Sequence, residues 1–399
     1  MEYQQATLLA RPPQASLIQF SGFDLPFPSH CSLWDATSPS DWAMAAQQYA
    51  QHPEYVYQVT PETTPSGYDS FQSSVLLAAH YHHFNNPAPY LAPPVFAAIE
   101  HLLDTSPITK HQLLTAKLLQ VTPVRALLAV SGESWILSEK VPSAQAFLGY
   151  KTTLRSWIGG LWSGAADATG QPVRDALQLA IEILRHAMAV PSHTLRLELG
   201  PDMGLYYAAL ILWSVTVSAN TRMNMHQAQV HQQHRYQSHS PLPSARNFPS
   251  TPTHLTSNTP TASPIHTYPP TTNFVPSQAA SPIAFSPTSS SMQHSDIALM
   301  SMKFLDTAVV DMEFLGMVQQ WPRDVSQWQQ GCGALLRWVK MRLRGGALEA
   351  RDSVVASSHA VGPTSAGTGR GGDGFGELLD GVIGVLEKVM GRGWEGWGV

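Results

Sequence analysis

The chain has 399 residues and a formal net charge of −5, which excludes a protein drawn to nucleic acid by its overall field. Only 13% of residues are charged, against the usual quarter, because a large apolar core and a long uncharged polar tract share the chain. Its two cysteines, Cys31 and Cys332, build neither a disulfide framework nor a zinc module and point to a reducing compartment. The opening MEYQQATLLARPPQ lacks the basic start and apolar run of a signal peptide, so an intracellular protein is expected.

Residues 1–24 read as extended and irregular, since Pro12 and Pro13 break any helix. Pro26 and Pro28 then fix an extended run, and Leu33 and Trp34 are expected to fill a pocket. Ser38, or Ser40 with Asp41 behind it, can cap a helix through Trp42, Ala45, Ala46 and Tyr49. Residues 51–69 form a polar loop with three prolines. Helical periodicity resumes near Ser70, where Phe71, Val75, Leu76, Ala79 and Phe84 share a broad face. After a proline-rich break from Asn85 to Pro94, helices are expected from Pro94 to Leu103, with Val95, Ile99 and Leu102 inward, and from His111 to Leu119. Another runs from Pro123 through Val130, with Gly132 marking a turn. Two more are expected around Ala144–Tyr150 and Thr152–Trp162. The strongest period lies in Gln171–Val190, where Val173, Ala176, Leu177, Ala180, Ile181 and Leu184 fall on one face behind Pro172.

Asp202–Ser218, DMGLYYAALILWSVTVS, is the most apolar stretch. Apolar side chains surround its axis, which predicts burial on all sides. A membrane span is the alternative, but the run is short for one, contains Gly204, Ser214 and Thr216, and has only Arg222 as a close flanking cation. The core-helix reading makes Tyr206, Tyr207 and Trp213 structural anchors, together with Trp135.

Residues 226–295 are rich in Ser, Thr, Pro, Gln and His, with no apolar period, and predict a disordered linker. Ser-Pro or Thr-Pro pairs begin at Ser240, Thr251, Thr259, Ser263, Ser281 and Ser286, which suits proline-directed phosphorylation of a spacer. Ser295 and Asp296 can cap a long helix using Ile297, Met300, Phe304, Val309, Met312 and Leu315, which Pro322 stops. Trp328–Leu343 forms the next. Residues 345–375 are a flexible Gly-rich segment, and Glu377–Met390 is the last helix. No stretch alternates with period two. The class is all-α: an irregular multi-helix bundle made of residues 25–225, 296–344 and 376–399, interrupted by the linker.

Catalytic patterns are weak. Ser134 sits in SGESW, which lacks the second glycine and the strand of a nucleophile elbow. His80, His82 and His83 miss the i, i+4 spacing of a helical metal site. GRGGDGFG, Gly369–Gly376, has no preceding strand and no Gly-Lys-Ser/Thr ending, and reads as linker. Arg337, Lys340, Arg342 and Arg344 form one basic cluster, read as a solvated helix face, with a nuclear-import or phosphate-contacting patch as the alternative. No catalytic, cofactor-binding or metal residue is assigned, and an enzyme is not expected.

Four segments resemble the regulatory domain of fungal C2H2 zinc-finger transcription factors, the fungal-specific transcription factor domain. They are LPFPSHCSLWDATSPSDW (Leu25–Trp42), TPVRALLAVSGESWILSEKV (Thr122–Val141), LELGPDMGLYYAALILW (Leu197–Trp213) and ELLDGVIGVLEKVMGRGWEGW (Glu377–Trp397). The resemblance implies an all-helical module in a nuclear regulator of RNA polymerase II transcription, with protein partners in the transcription machinery. DNA and zinc would be bound only by tandem fingers, whose Cys and His spacing this chain does not contain. Either the chain begins after the fingers or it is a finger-less relative. The alternative is a helical scaffold or ligand-sensing protein with no DNA role. No cofactor and no membrane contact is expected of this chain; its oligomeric state is left open.

Overall fold

The computed structural model describes residues 26–50, 53–60, 62, 67–85, 99–132, 143–162, 170–190, 199–238, 294–315, 322–344 and 377–394. Among them are eleven α-helices and no strand; one isolated bridge pairs Pro26 with Tyr55. The class is all-α. The chain divides into two units: residues 1–226 together with 293–399, and residues 227–292.

Helices α1 (Cys31–Trp34) and α2 (Pro39–Gln48) come first. The Ser38 hydroxyl accepts the Asp41 N–H at 3.1 Å and Pro39 occupies the first turn, so α2 starts as its sequence requires. Trp34, however, fills no pocket: it is 78% exposed, while Leu33 is half-buried. The single turn of α1 is held by polar groups at its His30–Cys31 end, which leaves its last residue outside. A 3-10 turn, Val56–Gln58, precedes α3 (Ser70–Asn85). Leu76 and Leu77 of α3 are buried, but Phe71 is largely exposed, so the apolar face is narrower than expected. Buried Gln72 and Ser73 share that side. Gln72 Nε2 donates to the Pro28 carbonyl, and Ser73 Oγ accepts the Asp104 N–H, each at 2.8 Å. Ile99 and Leu102 point inward around the 3-10 turn Glu100–Leu102. Residues 86–98, with Val95, lie outside the described residues.

α4 (Pro107–Val121) and α5 (Val124–Ser131) meet at 88° across Pro123. Gly132 ends α5 with a φ of 104°, a left-handed conformation suited to glycine, which is the turn expected there. α6 (Ala144–Gly159) is one helix where two were expected. No Gly-Pro break interrupts it near Lys151, and the Thr152 and Thr153 hydroxyls donate to carbonyls one turn back. The 3-10 turn Gly160–Trp162 follows. α7 (Gln171–Ala189) buries its predicted face completely at Val173, Ala176, Leu177, Ala180 and Leu184.

α8 (Leu199–Ser238) is the longest element, at 40 residues. Every side chain from Met203 to Val217 is buried. By length and composition Met203–Gln233 passes for a membrane span, yet 94% of its most apolar window is covered by the protein's own residues. The helix also corrects the expected linker boundary, because it continues past residue 226 to Ser238. Ala, Met, Gln and Arg favour helix, no Gly or Pro intervenes before Pro241, and extending a packed helix costs far less than starting one. Residues 221–233 are exposed throughout; residues 239–293 lie outside the described residues.

α9 (His294–Glu313), α10 (Val325–Leu343) and α11 (Glu377–Arg392) complete the fold. α9 packs along α10, α10 against α11, and α4 against α7. The buried face of α9 runs through Ser301, Phe304, Leu305 and Ala308; Met300, expected inward, is 38% exposed. The larger apolar cluster collects around α8 from helices α4 to α11. A smaller one joins Phe27, Val56, Val59 and Tyr68 to Leu76, Leu77 and Ile99.

Trp328 Nε1 donates to Asp311 Oδ2 at 2.6 Å between buried side chains of α10 and α9. Asp311→Asn keeps an acceptor there but gives up the charge-assisted bond. A loss of about 1 kcal/mol is expected in urea unfolding.

Candidate functional site

The Phe27 N–H donates to the Glu54 carbonyl at 2.8 Å, and the Gln72 side chain holds the Pro28 carbonyl. These bonds fix residues 26–30 against Glu54 and the start of α3. His30 caps α1: its Nδ1 accepts the Ser32 N–H at 3.2 Å, and its ring stacks on Tyr49 at 3.9 Å and 15°. Asp69 caps α3, where Oδ1 accepts the Gln72 N–H at 2.8 Å, and Oδ2 accepts the Cys31 N–H at 2.6 Å. Cys31 Sγ lies 3.9 Å from His30 Nδ1. One nitrogen, one sulfur and one carboxylate oxygen of His30, Cys31 and Asp69 thus fall within 4.8 Å of one another. His30 is buried, Asp69 half-buried and Cys31 exposed. Burial, then the negative charge of Asp69 and its hydrogen bond, push the Cys31 thiol above its usual range. At neutral pH this group is a thiol rather than an activated nucleophile.

The spacing of residues in the chain does not reveal this cluster, because Asp69 is distant from His30 and Cys31 in sequence. A signal was nonetheless there: no lysine or arginine occurs between Arg11 and Lys110, while Asp35, Asp41, Glu54, Glu62, Asp69 and Asp104 all do. Within that span Glu100 pairs with Lys117, which lies beyond it.

Tyr206, Tyr207 and Trp213 are fully buried on α8, as their anchoring role requires; the two tyrosine rings lie 5.6 Å apart. Trp135, Ser134, the Gly369–Gly376 run and the Ser/Thr-Pro pairs lie outside the described residues, as do the side chains of His80, His82, His83 and Phe84. The basic cluster is largely structural. Lys340 and Arg344 reach Glu387 of α11 at 2.6 and 3.3 Å, and Arg342 donates to the Val190 carbonyl at 3.1 Å. Arg337 is exposed. Cys332 is fully buried on α10, where burial pushes its thiol up to about 12. The chain matches no family model, no curated protein and no solved structure.

Proposed function

We propose that this chain is the helical regulatory module of a fungal transcription factor, working in the nucleus on RNA polymerase II transcription through protein contacts. One observation supports the reading. The segment Leu25–Trp42, which carries the most specific family likeness, holds two tryptophans outside the core, Trp34 at 78% and Trp42 at 54% exposure. Large aromatic side chains held in water on a hydrogen-bonded frame are the usual anchors of protein interfaces. Met44 and Phe71, also largely exposed, add apolar surface on α2 and at the start of α3. In this reading DNA contact belongs to a separate zinc-finger module, and the chain has no chemistry of its own.

The test tethers the chain to a heterologous DNA-binding domain in a fungal host and reads a reporter gene. A several-fold change in reporter output is expected. Trp34→Ala and Trp42→Ala together should abolish it while moving unfolding stability by less than about 0.5 kcal/mol each, as for surface positions. A folded, nuclear fusion that leaves the reporter unchanged would overturn the proposal.

A further inference from the structure

We propose that His30, Cys31 and Asp69 bind a divalent metal ion of the zinc class. Thiolate, imidazole and carboxylate are the three donor types this ion takes, and three protein ligands leave a fourth position for water or a partner's side chain. Bonds of about 2.0–2.3 Å in a tetrahedral centre place ligand atoms roughly 3.3–3.8 Å apart. Cys31 Sγ and His30 Nδ1 already stand at 3.9 Å, and the full spread of 4.8 Å closes by rotation of the exposed Cys31 and half-buried Asp69 side chains. The cost is the cap bond that Nδ1 exchanges for the metal, the thiol's hydrogen bond to Asp69, and some strain on the N–H bonds to Asp69 as its carboxylate turns.

The outer shell is built. Two backbone N–H groups orient the two Asp69 oxygens, and Tyr49 clamps the His30 ring. The surrounding sequence is free of Lys and Arg from Pro12 to Thr109, and Asp35 lies close enough to act on Cys31, so the local field favours a cation. On binding, the Cys31 S–H gives its proton to solvent and the sulfur bonds the metal; no electron is transferred. The ion would brace the segment bearing Trp34 against α3, adding to the hydrogen bonds and the packing of Phe27 that join them now. The inference stands apart from the transcriptional reading.

Titration of the purified full chain with Co2+ tests it, followed by displacement with Zn2+. Tetrahedral d–d bands and a thiolate-to-cobalt charge-transfer band are expected. Cys31→Ser removes the charge-transfer band, and Cys332→Ala leaves it. Asp69→Asn preserves an acceptor for the α3 cap and weakens Co2+ binding by about 10-fold or more. Circular dichroism checks that each variant is folded; should Cys31→Ser fail, Asp69→Asn decides. A six-coordinate spectrum without a thiolate band overturns the proposal, as does a band that survives Cys31→Ser or an affinity indifferent to Asp69→Asn.

Discussion

Trp213→Ala is expected to cost about 3–5 kcal/mol, the range for deleting a large buried aromatic side chain. Trp213 has no exposed surface and sits in the stretch of α8 where every residue is buried. Helices from α4 to α11 contribute to the cluster around it, so the cavity left by truncation has no solvent side from which to collapse. Trp213→Phe separates volume from polarity. The indole Nε1 makes no hydrogen bond among the described residues, so Phe loses part of the ring but strands no polar partner. Urea unfolding should therefore rank Ala far below Phe. A loss under about 1 kcal/mol for Trp213→Ala would remove α8 from the centre of the fold.

Gly331→Ala in α10 should destabilise by about 1–3 kcal/mol, although alanine is the better helix former by about 1 kcal/mol. A Cβ added there would lie 2.5, 2.6 and 2.7 Å from Cδ2, Cγ and Cβ of Phe304. Phe304 cannot withdraw easily: it is buried, and its ring stands edge-on to Trp328 at 5.3 Å. The glycine thus permits α9 and α10 to approach closely. Gly384→Ala in α11 is the matched control. Nothing lies within 4 Å of its added Cβ, so the same substitution should stabilise by about 0.5–1 kcal/mol. Opposite signs in thermal unfolding are the expected result. Two losses of equal size would show that close contact with Phe304 does not set the penalty. A double-mutant cycle with Phe304→Leu should recover a coupling of about 0.5–3 kcal/mol.

Local physics made much of the fold legible in the sequence. Gln171–Ala189 shows its buried face directly, because a helix half in the core must repeat its apolar residues every 3.6 positions. Ser38, one of the two caps expected for α2, marks its start, since an N-cap hydroxyl acts within one turn. The all-apolar run in α8 indicates burial on every side, and 94% coverage of its most apolar window agrees. Boundaries were less legible. The polar end of α8 reads as linker on composition, yet it continues a helix already nucleated by its packed half.

The candidate site was not readable from the chain in order. His30 and Cys31 are adjacent, but Asp69 joins them only when the proline-fixed segment folds back onto the start of α3 through Gln72 and Pro28. Trp34 shows the same limit from the other side. Its size and apolarity predict a pocket, and only the position of α1 on the outside decides that it faces water.

By itself, then, the sequence determined the helical class, the core helix and most helix starts, because periodicity and capping are encoded within a few residues. Tertiary structure alone decided why Gly331 must stay small, that Trp34 is exposed and that His30, Cys31 and Asp69 meet. Each of these depends on groups remote in the chain, whose contacts no local pattern specifies.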